Sequence, residues 1–159
     1  MSGKAIAELK QTRPFESVEV EAYINILRTA DALTRAVEQL LKSAGLSPAQ
    51  YNVLRILRGA GAEGLACREI GERMIARDPD ITRLLDRMEG RALITRARDC
   101  RDRRVITVRI VKEGLRILRE LDRPMLEVHR RQLGHMGPRK LAALIRLLEQ
   151  ARSGSSSGQ

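Results

Sequence analysis

The sequence predicts a mainly α fold with a small antiparallel β wing, and three observations carry that prediction. Apolar residues recur at three- and four-residue steps on both sides of the centre of the chain, which is the helical period. Two helix-start signals, Ser47-Pro48 and Asp78-Pro79, stand near the middle. Two short alternating runs, 93–98 and 105–111, flank the hexapeptide Asp99-Cys100-Arg101-Asp102-Arg103-Arg104, as a hairpin with a charged tip would.

Residues 1–16 are polar and interrupted by Pro14, so they read as a loose arm. From 17 to 42, Val20, Tyr23, Ile24, Leu27, Leu33, Val37 and Leu40 fall on one helical stripe, and the helix should stop near Gly45. Ser47 as N-cap and Pro48 in the first turn then open a second helix, to about 58, followed by a loop over 59–64. A third helix spans about 67–74. The fourth is expected to start at Asp78-Pro79, with Ile81, Leu84, Leu85 and Met88 buried and Thr82, Arg83, Asp86 and Arg87 on other faces. After the hairpin, a long helix begins near 112, with Leu115, Leu118, Leu121, Met125 and Val128 as its stripe; Pro124 should kink or split it. The last helix starts at Gly137-Pro138, and 153–159 is a Gly/Ser tail expected to be disordered.

Two helices, a turn, a further helix and a two-stranded hairpin make the winged helix-turn-helix order. The chain thus divides into residues 1–45, an arm and helix; 46–111, the winged core; 112–152, the C-terminal helices; and the tail. The flanking helices carry apolar stripes that the core alone does not cover. They either pack on a second copy, as dimerisation helices, or fold back on their own chain, and periodicity does not separate the two.

Charge is unevenly placed. The net charge is +10; residues 1–50 hold six basic and six acidic side chains, 51–111 fourteen and nine, and 112–152 ten and five. The basic excess of the last two segments favours an anionic partner, nucleic acid before membrane. With Phe15, Tyr23 and Tyr51 as the only aromatic residues, base-stacking platforms of the single-strand or RNA-binding type are disfavoured. Between Arg91 and Arg104 six arginines face two aspartates. Arg98, Arg101, Arg103 and Arg104 are the candidate DNA-binding groups of the wing. Asp99 and Asp102 read as partners that orient the wing arginines, because a carboxylate beside a guanidinium holds it in one direction and repels phosphate.

Several chemistries find no support. No GxSxG, HExxH or Walker loop occurs, so no enzyme is expected. His129 and His135 near Glu127 read as solvated helix surface, since a metal needs three or four converging ligands; no metal or cofactor is expected. Cys67 and Cys100 have no CxxC spacing, and no signal peptide or apolar membrane span is visible, which predicts a cytoplasmic protein.

Three segments together resemble the MarR-type bacterial transcriptional regulators: Leu46-Ser47-Pro48-Ala49-Gln50-Tyr51-Asn52-Val53-Leu54, Ile81-Thr82-Arg83-Leu84-Leu85-Asp86-Arg87-Met88-Glu89, and the wing hexapeptide. The likeness extends over about 46–121. It implies a homodimer with interlocked terminal helices, a recognition helix in the major groove and a wing tip in the adjacent minor groove. Position by position it puts Thr82 and Arg83 on the recognition helix, Arg77 and Asp80 near its DNA-facing start, and Arg101 at the wing tip. Arg87 shares that helix, either as a DNA contact or as a solvated or internally paired side chain. The resemblance also implies a small aromatic or phenolic effector in a cleft between the dimer helices and the DNA-binding lobe, for which Tyr23 and Tyr51 are candidate lining residues. Thiol-based sensing would fall to Cys100, whose arginine neighbours favour the thiolate.

Three positions depart from the family pattern. Ala66 and Val111 stand where a capping Thr is common, each lost cap costing about 1 kcal/mol, and Ala92 stands where Gly usually precedes the first wing strand. The expected function is a sequence-specific repressor on a pseudo-palindromic operator. A sequence-indifferent architectural DNA-binding protein and a winged-helix protein–protein module are the alternatives.

Overall fold

The computed structural model describes residues 4–98, 102 and 104–155. The elements follow in the order α1 (Ala5–Glu8), α2 (Val18–Ser43), α3 (Pro48–Ala60), a 3-10 turn (Gly61–Glu63), β1 (Leu65–Ala66), α4 (Cys67–Arg73), α5 (Ile81–Gly90), β2 (Ile94–Arg98), β3 (Ile106–Ile110), α6 (Lys112–Leu133), a second 3-10 turn (Gly134–Met136) and α7 (Gly137–Ser155).

Local chemistry accounts for most boundaries. Gly45, at φ 66°, follows the end of α2. At α3 the Ser47 hydroxyl accepts from the Gln50 N–H while the Gln50 carboxamide oxygen accepts from the Ser47 N–H, 3.1 Å each, a reciprocal cap. Ala66 caps α4 with no side-chain acceptor, yet Glu69 Oε2 still accepts the Ala66 N–H at 3.1 Å, so half of that cap survives. Val111 offers α6 no side-chain cap.

Four expectations need correction. The arm is not wholly loose: α1 buries Ala5, and Glu8 pairs with Arg28 of α2 at 3.1 Å. The fourth helix starts at Ile81, with Asp80 rather than Asp78 as N-cap. That start places Leu84, Leu85 and Met88 on the core, while the Asp78 carboxylate accepts the Asp80 N–H at 2.9 Å in a turn of its own. At Pro124, α6 runs on as one helix without splitting. Leu121, Met125 and Val128 are buried on either side of the exposed proline and hold both flanks in one core register, offsetting the missing backbone donor. The tail enters α7 as far as Ser155, with 156–159 outside the described residues.

The sheet is antiparallel in the order β1-β3-β2. Leu65 pairs with Val108, and β2 with β3 from Ile94↔Ile110 to Arg98↔Ile106. Around its inner face Leu41 of α2, Leu54 and Leu57 of α3, Ile70 of α4, Leu85 and Met88 of α5 and Leu118 of α6 are fully buried. Burial of such side chains, at about 1.5–3 kcal/mol each, is what holds the wing against the helices. Gly114 lets α6 leave the wing closely: a Cβ there would stand 2.6 Å from the Leu93 carbonyl oxygen. Ala92, by contrast, takes a left-handed φ of 52°, where its methyl group is strained.

The two long flanking elements are less well covered. On α2, Val18, Tyr23 and Leu27 are exposed, and on α7 Ile145 and Leu147; none of the described side chains of α7 is buried.

Candidate nucleic-acid interface

The sequence of α5 divides it lengthwise. Leu84, Leu85 and Met88 are buried, so Thr82, Arg83, Asp86 and Arg87 face outward, all exposed. Asp80 Oδ1 accepts the Arg83 N–H at 3.2 Å, and its carboxylate lies 3.6 Å from Arg83 Nε. Asp80 therefore fixes the start of the helix and pairs loosely with the side chain of Arg83, which is 78% exposed. Arg87 has no carboxylate partner among the described residues, and Arg77, just ahead of the helix, is exposed.

A side chain absent from the expected site joins α5 to the wing. Arg96 of β2 reaches Asp86 Oδ1 at 2.6 Å and Glu89 Oε2 at 2.8 Å, and its own N–H donates to Glu89 Oε1 at 3.0 Å. The guanidinium, bonded first to Glu89, holds that carboxyl below the usual carboxylate range, and the same contacts raise Arg96. Arg96, assigned no role from the sequence, thus forms a clamp with two carboxylates of α5. The one available signal was that Asp86 and Glu89 share a helix face three residues apart, as the two arms of a cation site must.

Other central arginines are also occupied. Arg58 makes a bidentate pair with Asp122, 2.8 Å on both branches, joining α3 to α6 and lowering the Asp122 carboxyl. Arg91 donates to the Gly45 carbonyl and Arg109 to that of Ala62. Among the arginines of α5, its approach and the wing, Arg77, Arg87, Arg98 and Arg104 are exposed without a carboxylate partner among the described residues, and Arg83 is only loosely paired. Asp102 accepts the Arg104 N–H through its carboxylate and the Val105 N–H through its carbonyl, 3.0 Å each, so it shapes the return into β3. Asp99, Cys100, Arg101 and Arg103 lie outside the described residues. Cys67, partly buried, has its thiol pushed up by burial, with Arg96 opposing.

Beside this surface a cleft of about 840 Å³ opens between α2, α3, α6 and the segment leading into α5. Leu33, Val37, Met74 and Met125 give it apolar walls; Tyr51, Asn52, Arg55, Arg77, His129 and Gln132 give it polar ones. Arg55 donates to the Tyr51 hydroxyl at 3.2 Å, and its guanidinium lies 5.9 Å from the ring centre. Gln132 donates to the Leu33 carbonyl at 2.8 Å, leaving its own oxygen buried without a partner. Tyr23, expected at the cleft, stands 62% exposed on α2 and does not line it. Among the described residues no group of His, Cys, Asp and Glu could hold a metal, and no helix is long and apolar enough to cross a membrane.

An exposed helix face, capped at its start and clamped to a two-stranded wing, defines a winged helix-turn-helix chain. The sequence profile of the MarR family matches residues 46–106. A MarR transcription factor from Planctomyces limnophilus, known by crystal structure, is 41% identical, with 86% of this chain and 98% of that one covered and a TM-score of 0.66. The chain belongs to the MarR family, whose members are transcription regulators rather than enzymes. The HTH-type transcriptional regulator TtmR of Methylorubrum extorquens is 31% identical over 67% of this chain and 54% of its own length. The chain spans about half the length of the curated relatives it first matches. The PcaV transcriptional regulator of Streptomyces coelicolor, whose crystal structure holds its natural ligand, is 26% identical, with 79% of this chain and 90% of that one covered and a TM-score of 0.67.

Proposed function

We propose that the protein binds double-stranded DNA sequence-specifically as a homodimer and represses transcription from a pseudo-palindromic operator. The observation that carries this reading is the outward face of α5, where Thr82, Arg83 and Arg87 stand free of the core next to a basic wing. A threonine offers a hydroxyl to a phosphate or base and a methyl group to thymine; an arginine pairs with guanine through two hydrogen bonds. Arg98 and Arg104, with Arg101 and Arg103, would follow the backbone into the minor groove, where narrow A·T-rich tracts attract arginine. Residues 46–111 act as the reading lobe, and 1–45 with 112–152 as the dimerising part. Val18, Tyr23 and Leu27 on α2 and Ile145 and Leu147 on α7 are the apolar groups a second copy would cover.

The cleft fits a small aromatic or phenolic effector. Its apolar walls take a ring, and Tyr51, Arg55 and His129 in its lining offer polar groups to a hydroxyl or carboxylate. Such a ligand releases DNA only if it prefers one spacing of the two reading lobes.

A footprinting titration on the DNA flanking its own gene, at physiological salt, tests the reading. The expected result is a protected, two-fold-symmetric site with half-sites about 10 bp apart. Uniform protection along the duplex would instead mean a sequence-indifferent architectural protein, and no protection on any duplex would leave a protein–protein module.

A further inference from the structure

The segment 75–80 carries the chain from α4 into α5, and its footing is narrow. The Ile75 side chain is 91% exposed, so apolar burial does not hold the segment at that point. Asn52, on α3, accepts the Ile75 N–H through Oδ1 at 2.8 Å. An N–H needs an acceptor, so the orientation of the carboxamide follows from the contact itself. Among the described residues this is the one hydrogen bond tying 75–80 to an element other than the helix it enters; the remaining bonds are the local turn of Asp78 and Asp80 and the cap of α5.

We infer that Asn52 is a positioning residue for DNA reading: its carboxamide sets the place of segment 75–80, and through it the Asp80 cap and the direction of Thr82 and Arg83. This rests on the proposed DNA-reading role of α5. Asn52 sits on a helix anchored in the core by Val53, Leu54 and Leu57, all fully buried, so the acceptor is fixed while the donor segment is not. Arg77 and Asp80, at the DNA-facing start, lie two and five residues beyond the latched N–H. Asn52, Ile75, Ala76, Arg77 and Asp78 all line the cleft, so a molecule filling it would meet the latch and the segment it holds.

The test uses the full chain as wild type, N52A and N52D. Alanine suits a helix interior, so N52A keeps α3 while removing the acceptor; aspartate restores the acceptor on the same skeleton. Two readouts are taken: amide hydrogen exchange at Ile75, and the ratio of affinities for the footprinted site and an unrelated duplex of equal length. Losing one net hydrogen bond predicts Ile75 exchange about fivefold faster in N52A and a specific-to-nonspecific ratio reduced by about the same factor, with nonspecific affinity unchanged. In N52D both return toward wild type. Unchanged exchange in N52A, an unchanged ratio, or equal losses in N52A and N52D each overturn the inference. If the wild type shows no preferred site, the DNA reading falls, and with it the role given to Asn52; the exchange readout still reports whether the latch holds the segment.

Discussion

Placing a methyl group at Gly114 sets two effects of opposite sign against each other. Gly114→Ala in the first turn of α6 gains helix propensity, up to about 1 kcal/mol. The new Cβ would lie 2.6 Å from the Leu93 carbonyl oxygen, 2.9 Å from Ile110 Cγ1 and 3.1 Å from Leu54 Cδ2. Ordinary contacts are about 3.5–4.0 Å, so α6 must retreat by nearly an ångström or the wing base must open. The Leu93 carbonyl cannot swing aside freely, because it accepts the Val111 N–H at 3.2 Å. Overpacking against fixed backbone at 2.6 Å belongs in the upper part of the usual range of about 1–3 kcal/mol, at about 2–3 kcal/mol, so that after the propensity gain the net loss is about 1–2 kcal/mol. Urea unfolding followed by circular dichroism, at one fixed protein concentration, should show a lower midpoint with an unchanged slope. Gly59→Ala is the matched control: nothing lies within 4 Å of its added Cβ, so the same chemical change should raise the unfolding free energy by up to about 1 kcal/mol and the midpoint with it. A midpoint for Gly114→Ala equal to or above wild type would refute the close approach of α6 to the wing.

Other outcomes follow from single contacts. Ala92→Gly should stabilise by about 0.5–1 kcal/mol, because relief of the left-handed φ outweighs the added freedom of the unfolded chain; a lower thermal midpoint would contradict this. Arg83→Ala should lose discrimination between operator and unrelated DNA more than overall affinity, and equal loss on both would make it a phosphate contact. Arg101→Ala should weaken binding most at A·T-rich positions flanking each half-site, read from the footprint. Asp122, held low by Arg58, contributes stability that is present above its unfolded pKa of about 3.9 and lost as pH falls through its lower folded value. Asp122→Asn should therefore flatten the acid limb of stability between those two values, measured by urea midpoints across pH.

The helices were legible because their signals are local. Ser47, Pro48 and Gln50 write one start in four residues, and the period of Leu118, Leu121, Met125 and Val128 sets the buried side of α6. What the sequence did not disclose depends on distant partners. Asp78 and Asp80 are equally good caps beside one proline, and only the fit of Leu84, Leu85 and Met88 into the core selects Asp80. The two-residue β1 has no period to detect, since it exists through pairing with Thr107 and Val108. Among the candidate site residues, outward-facing Thr82, Arg83 and Arg87 were legible from the spacing of the apolar stripe. The division of arginines into structural and free was not: Arg96 and Arg98 are two residues apart on one strand, yet one is clamped and the other stands exposed.

The Arg96 clamp makes the helix face and the wing a single calliper of fixed opening. Such an instrument forgives changes in what it touches more readily than changes in the distance between its points. On the proposed operator, moving the A·T-rich flank one base pair away from its half-site would displace it by about 3.4 Å along the duplex, turning it as well, and the protein would have to give up one contact to keep the other.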